Sequence, residues 1–516
     1  MNFGAAHDRG RHESDALTAT VPVASFAQRR MWFLDQLARN TAANLLPLAL
    51  RIRGALDVAA LERALAGIVE RHEVLRTRFV AIDGEPVPQV EEPGCVRLRR
   101  VEVGGVDELF DRELSRGIDL ATEPPIRMTL ARTAPDEHLL LLVVHHIAVD
   151  GWSWDVLLRE LAAGYRGEEV TRPALQYVDF AREQRNRLTG ARMERLLGYW
   201  RTRLAGVAPL ALPTDRPRPP FWDSSGDVVR FSVPAEVVSE VDRVARERRA
   251  TRYMLLFAVY QALLSHYTGQ TDIAVCTTMA DRNRAELADL IGPFVNTIVL
   301  RTDLSGDPTF DDLLHRVREH ALKDFSHAEA PFDRVVGEVG AERDLSRHPL
   351  AQASFTLLTA EHTSVELPGL TVELVPPPLN GAPLDVFLDL KVVSDGSISA
   401  RLQYATALFD ADTMRQFSEG YVELLRAALA APQTPIGELT RRLKPLPGRR
   451  LVEQWSRACA VGDATPTRDV PPFVVSGAPD DIALICGDHT VTYHELDHLV
   501  GGLATTLTAN GVTRET

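Results

Sequence analysis

One stretch constrains the fold of this chain more than any other: HLLLLVVHHIAVDGWSWDVLL, His138 to Leu158. Six consecutive apolar residues, Leu139 to Val144, suit a strand buried on both faces. Two histidines, an Asp-Gly pair and an apolar-periodic segment follow, so the order reads strand, tight loop, helix. Successive strand side chains point to opposite faces, and His145 and His146 therefore cannot both enter one cavity. Asp150 and Gly151 stand where the chain must turn back, with glycine free to take the backbone angles of the turn. Ser153 is expected to cap the helix that follows, with Asp155 in its first turn.

Three readings of the histidine pair compete. Both can be satisfied structural residues at a strand end. Metal binding is a second reading, weakened because adjacent strand histidines diverge and no HxH or HExxH spacing is present. General acid/base work is the third, since imidazole titrates near neutrality. A nucleophilic route has less support: there is no GxSxG elbow and no cysteine close to the pair. Nor does a glycine-rich phosphate loop stand out.

With 516 residues the chain exceeds one ordinary core, so several domains are expected. The formal charge of -14 gives no attraction for nucleic acid or an anionic membrane. Four scattered cysteines make no CxxC pair, against both a zinc ribbon and a disulfide scaffold. The polar N-terminus lacks the apolar stretch of a secretory signal, and the most apolar helical segment, Tyr253 to Tyr267, is too short to span a bilayer. The expected location is cytoplasmic.

Read in order, residues 1–20 form a flexible lead by composition. A helix from Ser25 to Leu37 with Met31, Leu34 and Leu37 on one face, a strand from Leu46, and an Asp57-capped helix follow. Strands near Val96 and Arg127, a helix from Val106 to Arg116, and one or two helices over Tyr177 to Leu204 complete a first lobe, 21–211. The Pro-dense LPTDRPRPPFWDSSGD, 212–227, reads as a crossing. A second lobe, 228–431, repeats the grammar of the first, which suggests a pseudo-symmetric pair of α/β lobes. Residues 432–479 suit a linker. The remainder, 480–516, reads as strand, turn, strand and helix at the start of a further domain.

HHIAVDG, His145 to Gly151, resembles the signature of the condensation domains of nonribosomal peptide synthetases, within the chloramphenicol acetyltransferase-like superfamily. SFAQRRMWFLDQL, RHEVLRTRF, YVDFA, IGPFVNTIVLR, HAEAPFD and RDLSRHPL are similar to the family's other motifs, in the family's order. The resemblance implies an α/β fold: two chloramphenicol acetyltransferase-like lobes in a V-shaped pseudodimer with a central tunnel. It implies His146 as the catalytic residue, with His145, Asp150 and Gly151 shaping the loop. Arg282, in MADRNRAELADLIGPFVNT, stands where the family's partner of the motif aspartate lies. An Asp-Arg pair there suits loop fixation better than proton transfer. Trp152, Ser153 and Asn296 are candidates for lining the tunnel, and a packing role is the plainer reading for Asn296 and Arg343.

The resemblance further implies peptide-bond formation between a donor acyl thioester and the amine of an acceptor aminoacyl thioester. Both are borne on phosphopantetheine arms supplied by donor and acceptor carrier proteins. No cofactor or metal is expected on the chain itself, which should act as a monomer. The segment ALICGDHTVTYHELDHLVGGLATTL resembles the first residues of an adenylation domain. RHEVLRTRF and HHIAVDGWS are closest to the subtype taking an L-configured donor. Starter, epimerisation, ester-forming and catalytically silent carrier-recruitment members of the fold are the alternatives. His348 departs from the asparagine common in RDxSRxPL.

Overall fold

A computed structural model describes residues 22–37, 44–282, 284–340, 344–358, 365–378, 381–446, 482–486 and 489–496. The lead at 1–20, Arg343 and most of 480–516 lie outside the described residues. The chain divides into two compact units, Met1–Arg450 and Leu451–Thr516.

The first lobe starts with α1 (Phe26–Leu37), whose N-terminal end is closed by two reciprocal bonds. The Gln28 N–H donates to Ser25 Oγ and the Ser25 N–H to Gln28 Oε1, both at 3.1 Å. Of the face expected from Met31, Leu34 and Leu37, Met31 packs partly buried against the first core while Leu34 is exposed. Trp32 and Asp35 are buried, while Phe33 and Leu34 are 59% and 44% exposed. This helix packs on the histidine loop and turns polar groups toward it, so apolar spacing alone misplaces its inner side.

Strand β1 (Leu45–Arg53) and helix α2 (Val58–Arg71) follow, with Asp57 capping α2 through the Ala60 N–H at 3.0 Å. β2 (Thr77–Ile82) and β3 (Glu85–Val90) form a hairpin around Asp83 and Gly84, at φ 51° and 79°. Positive φ at both central residues is what such a two-residue turn needs. β3 is hard to foresee because it carries Pro86 and Pro88, tolerated here in an isolated two-stranded ribbon. β4 (Leu98–Glu102), α3 (Val106–Leu114), β5 (Ile126–Ala134), β6 (Glu137–His145) and α4 (Gly151–Tyr165) then complete the main elements. β6 lies between β1 and β5, and Leu139 to Val144 are at most 1% exposed, as a central strand requires.

Helices α5 (Tyr177–Arg187) and α6 (Gly190–Arg203) lead out of this lobe. Met193, Leu196, Leu197 and Trp200 of α6 already belong to a second apolar core, so the chain changes cores before the Pro-rich stretch. That stretch forms no helix or strand until β7 (Gly226–Val233). α7 (Ala235–Glu247), the buried α8 (Arg252–Thr268), β8 (Asp272–Ala280), β9 (Val295–Asp303), α9 (Phe310–Ser326) and α10 (Phe332–Val339) come next. They are followed by β10 (Ala353–Leu358), β11 (Thr371–Val375), β12 (Val386–Val392), β13 (Ile398–Ala405), α11 (Ala411–Ala430) and α12 (Ile436–Leu439). The second sheet has the order β7-β13-β12-β10-β8-β9, with β10 parallel to both its neighbours.

β11 belongs to neither its neighbours in sequence nor their sheet. It leaves the second sheet after β10 and pairs antiparallel with β1, so the first sheet reads β11-β1-β6-β5-β4. The chain then returns to the second sheet as β12. Part of the expected linker is also built into the second lobe, since Ile436, Leu439, Leu443 and Leu446 are buried in its core. In the second unit, β14 (Ile482–Cys486) and β15 (His489–Thr492) form an antiparallel pair. Among the described residues no helix is long and apolar enough to cross a membrane.

The expected pseudo-symmetry extends to single hydrogen bonds. β6 ends at His145, and Asp150 caps α4; β13 ends at Ala405, and Asp410 stands at the cap of α11. Backbone bonds His145 N–H to Pro125 O, His146 N–H to Asn44 O and Ala148 N–H to His145 O recur in the second lobe. There they run from Ala405 to Asp385, Thr406 to Ser225 and Leu408 to Ala405. Thr406 thus occupies the place of His146.

The junction of β1 and β11 turns on Gly54, at φ 117°, where an added Cβ would lie 3.0 Å from the Gly369 carbonyl. Gly54→Ala is expected to lower stability by roughly 1–3 kcal/mol, read as an earlier midpoint in urea unfolding.

Candidate active site

The helix expected to be capped by Ser153 runs from Gly151, and its cap is Asp150, three residues earlier. Asp150 Oδ1 accepts from the Ser153 N–H at 2.9 Å and from Ser153 Oγ at 2.7 Å, while Ser153 Oγ accepts the Asp150 N–H at 3.2 Å. Ser153 is the third helical residue of a capping box, a role its position in the sequence alone does not separate from capping. The carboxylate of Asp150 is fully buried. Its Oδ2 accepts the Phe294 N–H at 3.1 Å, and Arg282 Nη2 reaches Oδ1 and Oδ2 at 3.1 and 3.4 Å.

Arg282 is the hub of this arrangement. Nη1 donates to the carbonyls of Leu287 and Leu290 at 2.6 and 2.8 Å, and the guanidinium stacks 4.0 Å above the Phe294 ring. Burial pulls its pKa below the usual arginine value, and Asp150 opposes that shift. Arg282 and Asp150 come from different lobes, so the pair ties the histidine loop to the segment before β9. Both carboxylate oxygens of Asp150 are already engaged by donors, which suits a scaffold rather than a proton carrier.

The two histidines part as strand alternation requires. His145 is 1% exposed; its Nδ1 accepts the Ile147 N–H at 3.1 Å, which leaves Nε2 to carry the proton and face Asp35 Oδ1 at 3.4 Å. His146 has the opposite tautomer. Its Nδ1 lies 2.7 Å from the Val149 carbonyl, which only accepts, so Nδ1 carries the proton. In the neutral ring the lone pair is then on Nε2. Burial holds the His146 pKa below the ordinary histidine value, against the opposing pull of the Val149 bond. The result is a neutral, half-buried imidazole with a basic nitrogen turned away from the loop.

Gly151 opens α4 without strain, and Trp152 is 46% exposed with its indole N–H on the Ala288 carbonyl at 2.9 Å. Ser153 is buried, and its Oγ accepts the Gly292 N–H at 3.1 Å. Asn296 gives both amide hydrogens to the carbonyls of Ala328 and Ala330, each at 2.7 Å, and its oxygen lies 3.3 Å from the Phe332 N–H. That amide pins the HAEAPFD loop to β9. Sequence reasoning does not find Asp35, the Val149 carbonyl or Tyr177, whose hydroxyl bonds Pro293 O at 2.8 Å and meets Ser25 Oγ at 2.9 Å. Their motifs are visible, but backbone partners leave no residue-type signal.

A family profile described as condensation domain matches residues 19–442. One of the linear gramicidin synthase chains of Brevibacillus parabrevis is 37% identical over 95% of this chain, which spans 10% of that relative. The malpinin synthetase of Mortierella alpina is 35% identical over 97% of this chain, which spans 7% of it. The X-domain from teicoplanin biosynthesis is similar at TM-score 0.75 and 30% identity, covering 82% of this chain and 98% of that one. The first condensation domain of the calcium-dependent antibiotic synthetase shares the fold at TM-score 0.67 and 22% identity, over 81% and 99% of the two chains.

Removing the guanidinium strands the Asp150 charge in a buried interface, which costs about 3–5 kcal/mol. Arg282→Ala is therefore expected to shift the urea midpoint strongly. Arg282→Lys should recover only part of the loss, since a point charge cannot reach Asp150 and both carbonyls together.

Proposed function

The chain belongs to the condensation-domain family of nonribosomal peptide synthetases, and from that premise we propose that it joins a donor acyl group to an acceptor amine. The reacting partners are an acyl or peptidyl thioester on one carrier protein and an aminoacyl thioester on another, each held by a phosphopantetheine arm. The acceptor α-amine attacks the donor carbonyl, a C–N bond forms, the C–S bond breaks, and the donor arm leaves as a thiol. His146 Nε2 receives or orients the amine proton, which ends on the departing sulfur. Direct transfer between two bound substrates requires no covalent enzyme intermediate.

The observation that carries this reading is the tautomer of His146. With Nδ1–H committed to Val149, Nε2 is the one imidazole nitrogen left for substrate. Asp150 and Arg282 serve as the scaffold of the loop, while His145 and Ser153 hold its two ends. The sequence likeness at 480–516 supports an adenylation domain downstream, and the unit is taken to be cytoplasmic and monomeric. The domain limits proposed are a condensation region of two lobes at 21–211 and 228–431 joined at 212–227, with α6 and the stretch from Ile436 to Leu446 packing into the core of the second.

The test mixes carrier-bound donor and acceptor thioesters with the chain and weighs the carriers by mass spectrometry. Dipeptidyl product is expected from the wild type, and a fall of about 10²–10⁴-fold in His146→Ala. Inversion of a peptidyl thioester without bond formation would point to epimerisation instead, and carriers that bind without product would point to a recruitment module. Because burial lowers the His146 pKa, the neutral form survives to lower pH than in a free imidazole. The rate should therefore stay level from alkaline pH down and fall only on an acid limb centred below about 6.5, a limb missing in the alanine variant.

A further inference from the structure

The second lobe repeats the histidine loop without its histidines, and so shows what the imidazoles add. Each loop leaves its strand through three turn residues, 146–148 and 406–408, and each ends on an aspartate at the cap of a helix. The bonds from Ala148 N–H to His145 O, at 2.9 Å, and from Leu408 N–H to Ala405 O, at 3.0 Å, close the two turns alike. Ala405 holds the place of His145, and both residues are 1% exposed. Backbone bonds therefore suffice to shape this turn, and folding it does not require a buried imidazole.

The His145 ring makes two bonds that Ala405 cannot. Nδ1 accepts the Ile147 N–H at 3.1 Å, and the Nε2 proton faces Asp35 Oδ1 of α1 at 3.4 Å. The same helix reaches the other end of residue 147, where Gln28 Nε2 approaches the Ile147 carbonyl at 3.5 Å. Ile147 directly follows His146, so α1 grips the backbone on the carboxyl side of the working imidazole. The helix is itself pinned elsewhere: Arg30 donates to Thr297 Oγ1 at 3.2 Å and lies 4.7 Å over the Phe332 ring. Asp35 is 8% exposed, and among the described residues no lysine or arginine lies within 4.0 Å of it. Burying a carboxylate without a cationic arm beside it costs stability, and an apolar side chain would fill the place with less penalty.

We propose that Asp35 is a positioning residue for the condensation step: it fixes the tautomer of His145 and, through Ile147, the aim of His146 Nε2. This rests on the reading of the chain as a condensing enzyme. A neutral imidazole has one N–H and one lone pair. With the His145 N–H turned to Asp35, the lone pair is left for the Ile147 N–H. In the other tautomer Nδ1–H would oppose the Ile147 N–H, and the bare Nε2 would oppose the carboxylate. Without an acceptor at residue 35 the buried Nε2–H has no partner, and the bond to Ile147 loses the group that favours it. The peptide after His146 then gains freedom, and a small misplacement of a group at the reacting atoms lowers kcat steeply. The Val149 carbonyl sets which nitrogen of His146 is bare, and Asp35 sets where that nitrogen points.

The test takes Asp35→Leu, which removes the acceptor, and Asp35→Asn, which keeps an oxygen to accept from Nε2–H. Both are followed in the carrier-thioester assay and by nitrogen NMR of the histidine-labelled chain, with Asp35→Ala as the second variant should leucine fail to fold. The leucine variant is expected to lose about 10-fold in kcat per folded molecule, with KM for both carriers within about twofold of wild type. The asparagine variant is expected to stay within about threefold of wild type in kcat. The His145 signals should lose their single Nε2–H pattern with leucine and keep it with asparagine. An unchanged kcat, a loss carried by KM alone, or a fall in kcat with the signals of both rings unchanged overturns the assignment. No product from the wild type overturns the condensing reading, and the His145 signals then decide the assignment by themselves.

Discussion

The pair of Asp150 and Arg282 is the interaction on which the rest of the site depends. It is a buried ion pair, and burial makes such pairs costly unless every lone pair and proton finds a partner. Here nearly all do: the carboxylate collects donors from Ser153, Phe294 and Arg282, and the guanidinium spends its other arm on two carbonyls. The consequence is geometric. The loop between β6 and α4 cannot move relative to the segment before β9 without exposing a charge to an apolar interior. His146 inherits that rigidity through the Val149 carbonyl, one residue before Asp150.

Close packing reinforces the same joint. Gly292 sits so near the Tyr177 ring that an added Cβ would fall 2.0 Å from it. Tyr177, Phe180 and Phe294 form a three-ring contact with centroids 4.7 to 5.5 Å apart. The first lobe's apolar core accordingly includes Leu287, Leu290, Ile291 and Phe294 from the second lobe's stretch of chain. The repeated architecture shows how differently its two halves use one loop. Asp410, the counterpart of Asp150, is exposed and pairs with Arg216 at the surface, and Thr406 beside it has no imidazole to orient.

Much of this is legible in the residues, and what is not has physical reasons. The apolar run Leu139 to Val144 announces a central strand, and Asp57 announces its helix, because burial and capping act locally. Arg282 can be located only through resemblance, since nothing in residue spacing says that an arginine 132 positions from Asp150 will meet it. Ser153 reads as the cap in place of Asp150 because serine and aspartate share that preference. β3 is hidden by its prolines. α10 and β11 are hidden by their length, and β11 further by its partner: a short strand's register depends on the sheet it joins, which here belongs to the other lobe. The inner side of α1 escapes apolar spacing because it faces a polar loop.

That borrowed strand has a topological consequence. A polypeptide that leaves one sheet, completes the edge of another and comes back stitches the lobes together on one side with covalent backbone. On that side the first sheet is completed by a strand whose sequence neighbours on both sides belong to the second sheet. Separating the lobes on that side would first have to strip β11 from β1, breaking the backbone bonds of a sheet edge rather than only side-chain contacts.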